Sequence, residues 1–275
     1  MKYSIITVNF NNRDGLQRTI ESVKNQTFKD YEHIVIDGGS TDGSVDIIKK
    51  YQQYISYWVS EPDHGIYNAM NKGIAKAHGD YLNFMNAGDS FYDNDVLKNT
   101  LPYLNADIVH GKLYFYNQQE RSVYLKNSPN MLHFYDNTLN HQASFISRKL
   151  FADSSYDENY KIVSDWKFFI EKLVFQNCSF VSIPIKVGLF ENGGISETER
   201  DIDTKERKDV LEKMFPPRVI EAFERFKGKE SPMLDLIPQF NRTYRLQKFI
   251  IFTVKLILSI HRLFNLKSSK KLLYK

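Results

Sequence analysis

Cys178 is the only cysteine in this chain of 275 residues. A lone thiol excludes an internal disulfide and a cysteine-built zinc site, and it suits a reducing compartment. Proline and glycine are sparse, at 8 and 13 residues, and no Pro-, Gly- or Ser-rich tract reads as a disordered linker. No internal repeat is found. No apolar run is long enough to span a bilayer: the longest, residues 249–260, is broken by Lys255, whereas a span takes about 20 residues. The start of the chain has no signal-peptide pattern, because Met1-Lys2 leads straight into Tyr3-Ser4-Ile5-Ile6-Thr7-Val8. That stretch has the β-branched content of a strand.

Acid is missing from residues 241–275, which carry nine Lys/Arg and no Asp or Glu. Taking those nine from the total of 37 leaves 28 bases against 33 acids in the body. The body is therefore mildly acidic and the tail basic, although the whole chain has a net charge of +4. This asymmetry argues against a nucleic-acid-binding body and for an anionic surface met by the tail. With 42% hydrophobic and 14% aromatic residues, the chain can bury one large core and carry an appendage.

Strand and helix patterns alternate along the first ninety or so residues. Residues 3–9, 31–36, 55–59 and 81–85 read as strands, and 14–26, 44–51 and 65–77 as helices. That rhythm predicts an α/β fold with a mostly parallel central sheet and helices on its faces. Ligands of such sheets bind at the carboxyl ends of the strands. Asn9, Asp37, residues 61–65 and residues 86–89 fall there. Further on, 107–116, 121–125, 142–147 and 180–187 read as strands and 164–175 as a helix. The expected organisation is a domain over 1–215, with a donor half (1–100) and an acceptor half (101–215), then a helical extension over 216–275.

Three constellations carry chemistry. In Asp37-Gly38-Gly39-Ser40-Thr41-Asp42-Gly43-Ser44 a strand-end carboxylate precedes glycines that allow close backbone approach to a ligand, then residues that cap a helix. A plain strand–turn–helix reads the same way. In the segment from Glu61 to Gly73, Asp63 lies between a strand end and a helix carrying Asn68, Asn71 and Lys72, while His64 reads as an incidental loop residue. In Asn86-Ala87-Gly88-Asp89 a small-residue turn presents one carboxylate, an oxygen ligand that suits a hard divalent cation. Asp93-Asn94-Asp95 and Asp201-Ile202-Asp203 are literal Asp-x-Asp triplets. The first reads as helix caps and the second as part of an exposed charged stretch.

In this order and spacing the constellations, with Ser4-Ile5-Ile6-Thr7-Val8-Asn9 before them, resemble the family 2 inverting glycosyltransferases of the GT-A nucleotide-diphospho-sugar fold, in particular a bacterial surface-polysaccharide subgroup. The likeness continues more thinly through Asn140-His141-Gln142-Ala143-Ser144-Phe145, Ser164-Asp165-Trp166 and Gly193-Gly194-Ile195-Ser196. The resemblance implies that Asp37 binds the base beside Thr7 and Asn9, with Gly39 in the same turn. It implies that Asp63 contacts base or ribose, that Asn71 and Lys72 line the donor pocket with Asn86, Ala87 and Gly88, and that Asp89 holds Mg²⁺ or Mn²⁺ bridging the diphosphate. Asp165 is implied as general base, and His141, Gln142 and Trp166 fall on the acceptor side. For His141 three readings stand: acceptor-site residue, metal ligand or satisfied polar group.

Two positions depart from the family pattern. Many relatives carry Asp-x-Asp where this chain keeps only Asp89, and Ser164 replaces the first acid of a Glu-Asp pair. A nucleotidyltransferase would need a Gly-rich basic loop after the first strand, and Asn9-Phe10-Asn11-Asn12-Arg13 is not one. A catalytically degenerate scaffold of the same fold is the non-enzyme alternative. Between residues 245 and 264 apolar side chains cover most of a helical wheel, with Lys248, Lys255 and Arg262 on one narrow face. This predicts a helix lying in a membrane interface, with packing on protein as the alternative. A cytoplasmic enzyme on the inner face of the cell membrane, acting on a glycan or lipid-linked glycan, is the resulting expectation.

Overall fold

The computed structural model describes residues 1–226 except 118, 122–124, 126, 192 and 195–197. The predicted interfacial helix lies outside the described residues, as do residues 122–124 of the strand expected over 121–125 and Ile195-Ser196 of the glycine segment. The chain divides into two compact units, Met1–Pro217 and Arg218–Lys275.

The first unit is built on one sheet of eight strands. Strands β1 (Tyr3–Asn9), β2 (Tyr31–Asp37), β3 (Tyr57–Ser60) and β4 (Tyr81–Phe84) alternate with helices α1 (Arg13–Lys24), α2 (Ser44–Tyr51) and α3 (Ile66–Lys76). These four strands are parallel, in the order β3-β2-β1-β4. Every residue of β1 is buried, which is why it reads as a continuous apolar run rather than an alternating one. Leu16 and Ile20 of α1 close over Val35 together with Ile47, Ile48 and Tyr51 of α2.

The second half is mixed. A two-residue strand β5 (Ser90–Phe91), helix α4 (Val96–Thr100), strand β6 (Ile108–Phe115), helix α5 (Met131–Asp136), strand β7 (Ser144–Ser147), helix α6 (Ser164–Phe169) and strand β8 (Phe180–Phe190) follow in turn. β7 runs antiparallel to β4 and β6, while β6 and β8 are parallel. Helix α7 (Arg200–Met214) follows, and α8 (Pro217–Phe226) opens the second unit. Two expectations are refined here. The helix expected over 164–175 changes at Ile170 into a π-helical turn that ends at Phe175. Residues 141–143 form a 3₁₀ turn before β7, not strand.

Pro184 lies within β8, in the gap between the pairings His110↔Ser182 and Lys112↔Lys186. Its missing N–H therefore interrupts no ladder bond. Behind α6, rings of Phe84, Phe151, Tyr156 and Phe168 pack with centroids 4.6–6.1 Å apart. That cluster fixes the base of α6, the helix that carries Asp165.

Candidate active site

A cleft of about 660 Å³ opens at the carboxyl ends of β1 and β4. Asn9, Asp63, Asn86, Ala87, Asp89, His141, Gln142, Asp165 and Trp166 all line it. Residues chosen from widely separated stretches of sequence thus meet at one place. Thr7, Asp37, Gly39, Asn71, Lys72 and Gly88 are not on its wall.

The Asn86–Asp89 turn is held from behind by α1. The Thr19 hydroxyl donates to the Asp89 carbonyl at 2.6 Å and accepts the Gly88 N–H at 3.1 Å. Asn12 caps α1 through Gly15 N–H and donates to the Ala87 carbonyl at 3.1 Å. Gly88 has φ +108°, and a Cβ there would overlap the Glu191 carboxylate, so both backbone and space call for glycine. The Asp89 carboxylate accepts from Gln142 Nε2 at 2.9 Å and from the Glu191 N–H at 3.0 Å. Burial raises its pKa from 3.8 to about 6. The Glu191 N–H, Gln142 and His141 pull it down, and the Glu191 charge adds to the rise.

Glu191 was not anticipated from sequence. It follows the last residue of β8, pairs with Arg18 and lies within reach of Asn12. The signal available was a carboxylate at a strand end, obscured because β8 was expected to stop at residue 187.

At the other end of the cleft Asp165 stands in the first turn of α6. Its carboxylate accepts from His141 Nδ1 at 2.9 Å, from the Tyr67 hydroxyl at 2.9 Å and from the Trp166 N–H at 2.9 Å. Burial would raise its pKa, but the hydrogen bond and charge of His141, with Tyr67 and Trp166, outweigh it and hold the carboxyl below its usual range. The same Tyr67 hydroxyl also reaches the Ile162 carbonyl, and Trp166 Nε1 donates to the Phe134 carbonyl at 2.8 Å.

His141 is reached by Asn86 Nδ2, 3.1 Å from Nε2. Both ring nitrogens are thus engaged, Nδ1 by Asp165 and Nε2 by Asn86. The turn carrying His141 and Gln142 is clamped to β4 by Asn83, whose buried amide donates to the Gln142 and Ser144 carbonyls at 2.9 and 3.0 Å.

Asp37 is wholly buried and accepts four hydrogen bonds, from Asn9, Ser60 and the Ser40 N–H and hydroxyl. Burial opposes its ionisation, yet these donors keep its pKa below the ordinary value. It ties the ends of β1, β2 and β3 together. Thr7 pairs with buried His33 at 2.9 Å. Asn71 staples α3 to the backbone of Tyr156, and Lys72 is paired with Glu61 at 2.7 Å. A Cβ at Gly38 would overlap the Asp63 carboxylate, so Gly38 is the residue that lets Asp63 fold across β2 to the cleft.

Of the two Asp-x-Asp triplets, Asp93 and Asp95 are exposed. Asp95 occupies the N-cap of α4 without capping it, and accepts from Thr27 instead. Asp203 departs from the expectation of an exposed stretch. It lines the cleft and pairs with Arg207, whose guanidinium lies over the Trp166 ring.

Glycosyl transferase family 2 matches residues 4–160. An uncharacterized glycosyltransferase of Mycobacterium tuberculosis is 35% identical over 201 residues, 70% of this chain and 76% of the relative. A PGL/p-HBAD biosynthesis glycosyltransferase of Mycobacterium bovis is 30% identical over 207 residues, covering 71% and 79%. Among solved structures, a mannosyltransferase from Pyrobaculum calidifontis in complex with GDP-Man and Mn²⁺ superposes with a TM-score of 0.62 at 14% identity, over 94% of this chain and 80% of that one. The fold is that of the GT-A glycosyltransferases, and the chain belongs to glycosyl transferase family 2.

Proposed function

We propose that this chain transfers a sugar from a nucleotide-diphospho-sugar, a UDP-sugar in the first instance, to a hydroxyl of a glycan or lipid-linked glycan, with inversion at the anomeric carbon. The observation that carries this reading is one cleft lined by Asp89 and Asp165, with a hydrogen-bonded bridge from Asn86 through His141 to Asp165; Asp89 would mark the donor end and Asp165 the acceptor end.

Asn9, Asp63 and Ala87, at the carboxyl ends of the parallel strands, would receive the nucleotide. Asp89, with Glu191 beside it, offers the hard oxygen donors that Mg²⁺ or Mn²⁺ takes. No group of three His, Cys, Asp or Glu stands together among the described residues. The donor set therefore fits a cation completed by substrate phosphates and water, which is the usual habit of Mg²⁺. When bound, such an ion offsets charge on the leaving nucleoside diphosphate.

The protein's own part is to hold the reacting groups and exclude water. Thr19, Asn12 and Gly88 fix the Asp89 turn, and the aromatic cluster fixes α6, so neither carboxyl has to reorganise during reaction. The proton of the attacking hydroxyl leaves at the Asp165 end, a step worth about 10²–10⁴-fold in rate. Support for a lipid-linked acceptor is the acid-free basic tail of the sequence, and the Mycobacterium bovis relative is named for PGL/p-HBAD biosynthesis. The tail would bring the enzyme to the anionic cytoplasmic face of the membrane. No helix among the described residues is long and apolar enough to cross it.

The test is transfer from a panel of UDP-, dTDP- and GDP-sugars to lipid-linked acceptors, with and without Mn²⁺. The wild type should use one donor, with Mn²⁺, and yield product of opposite anomeric configuration by NMR. Asp89→Ala and Asp165→Asn should both lose the activity. Retained configuration would overturn the inverting mechanism, and full activity in either variant would overturn the assignment of its carboxylate.

A further inference from the structure

We propose that the atom receiving the acceptor proton is Nε2 of His141, and that Asp165 acts through it as a positioning residue. The inference rests on the transferase reading and concerns which side chain performs its proton-transfer step.

The Asp165 carboxylate is poorly disposed to be the base itself. Three donors already occupy it, one on Oδ2 and two on Oδ1, and hydrogen bonds to a carboxylate favour its charged form and weaken it as a base. Those contacts suit a different task. A carboxylate that accepts Nδ1–H sets an imidazole in the tautomer whose Nε2 carries the free lone pair, and it stabilises the imidazolium formed when that lone pair takes a proton. His141 is in that relation to Asp165, 24 residues away in sequence and 2.9 Å away in space. Both side chains line the cleft.

Asn86 supplies an independent observation. Its Nδ2 meets Nε2 at 3.1 Å, while its Oδ1 is buried with no hydrogen-bond partner. An amide so placed is half satisfied when Nε2 is bare. Once Nε2 carries a proton, a half-turn of the amide brings Oδ1 onto the new N–H. The network thus has an arrangement for each protonation state of the ring, and the orphaned oxygen is the acceptor held for the second. Other charged groups around the cleft are Asp63, Asp89, Arg121, Lys161, Glu191, Asp203 and Arg207.

The step balances without any further reagent. An acceptor hydroxyl displaces the Asn86 N–H from Nε2, and its proton passes to Nε2 as its oxygen forms the bond to the anomeric carbon. The bond from that carbon to the phosphate oxygen breaks, and its electron pair leaves with the nucleoside diphosphate. The ring then returns its proton to solvent.

The experiment has two arms. In the first, ¹⁵N-imidazole NMR of the whole protein reads the His141 tautomer without turnover. The Nδ1–H form is expected, and it should be lost in Asp165→Asn; an Nε2–H ring would overturn the proposal, because the receiving lone pair would be absent. In the second, pH profiles of kcat/KM are compared for wild type, His141→Gln and Asp165→Asn, with nucleotide binding as the check on folding. His141→Gln should lose 10²–10⁴-fold in kcat at unchanged donor KM. In His141→Gly, added imidazole should restore part of the rate. Asp165→Asn should lose about as much as His141→Gln, because the receiving lone pair goes with the tautomer. An active wild type whose His141→Gln variant retains kcat within threefold while Asp165→Asn is dead would return the proton to the carboxylate. A wild type with the expected tautomer that transfers no sugar from any donor would overturn the transferase reading instead.

Discussion

Replacing Asp89 by asparagine should make the ligand-free protein more stable while abolishing its response to metal. The side chain is only 5% exposed, and its pKa is raised from 3.8 to about 6 because burial disfavours the charged form. A folded-state pKa above the unfolded one means that the fold prefers the protonated carboxyl. The associated stability is fully present below pH 3.8 and is lost as pH rises through about 6. At 1.36 kcal/mol per pKa unit the ionised carboxylate costs about 3 kcal/mol at pH 8.

Asparagine carries no charge and can still accept the Glu191 N–H, but Gln142 must turn its amide to remain paired. A net gain of about 1–3 kcal/mol is therefore expected, raising Tm by about 2–12 °C for a body of this size. Thermal melts in EDTA read it directly. The gain should be full at pH 8 and vanish near pH 4. Adding Mn²⁺ with a nucleotide at a hundredfold its Kd should stabilise the wild type by about 2.7 kcal/mol and leave the variant unmoved. An Asp89→Asn protein that melts lower than wild type at pH 8 would refute the reasoning, since the carboxylate would then be a net structural asset.

Asp37→Asn should be costly for the opposite reason. Its carboxylate is matched to four donors, and an amide N–H turned toward them leaves buried groups unpaired, at about 2–4 kcal/mol in urea unfolding. Because its folded pKa lies below the ordinary 3.8, its contribution is present above that pH and is lost on acidification below it, which acid titration of wild type against variant reads. Gly39→Ala places a side chain at φ +82° with its Cβ 3.2 Å from the Pro62 nitrogen, so a loss of about 1–3 kcal/mol is expected in the same assay. Tyr67→Phe removes the donor to Asp165 and to the Ile162 carbonyl. It should cost about 1–2 kcal/mol and lower kcat, with nucleotide affinity by calorimetry unchanged.

The parallel half of the sheet was legible because buried strands read as apolar runs and their helices carry a 3.6-residue period. The Asn86–Asp89 turn was legible for the same reason: Tyr81–Phe84 points to it. Strand β5 has two residues and no pattern to read. Strand β8 continues through Pro184 and Gly188, both of which signal a stop, and so Glu191 was hidden. The π-helical turn after Phe169 keeps an apolar face that an α-helix would also show.

The sequence pointed to part of the cleft lining, Asp89, His141 and Asp165 among it, but not to the contacts between these residues. Asp37 and Asp63 are similar strand-end acids in sequence. One is sealed inside by serines, and the other crosses Gly38 into the cleft. The Tyr67–Asp165 bond joins residues 98 apart, and only the fold of β4, β7 and α6 brings them together.

Equilibrium binding of a nucleotide-sugar panel by calorimetry, with and without Mn²⁺, tests the central claim most directly. The account predicts micromolar binding of one nucleotide class with Mn²⁺, far weaker binding without it, and loss of the metal effect in Asp89→Asn. Absence of binding across UDP-, dTDP- and GDP-sugars in the presence of Mn²⁺ would contradict it, because the cleft would then not be a donor site.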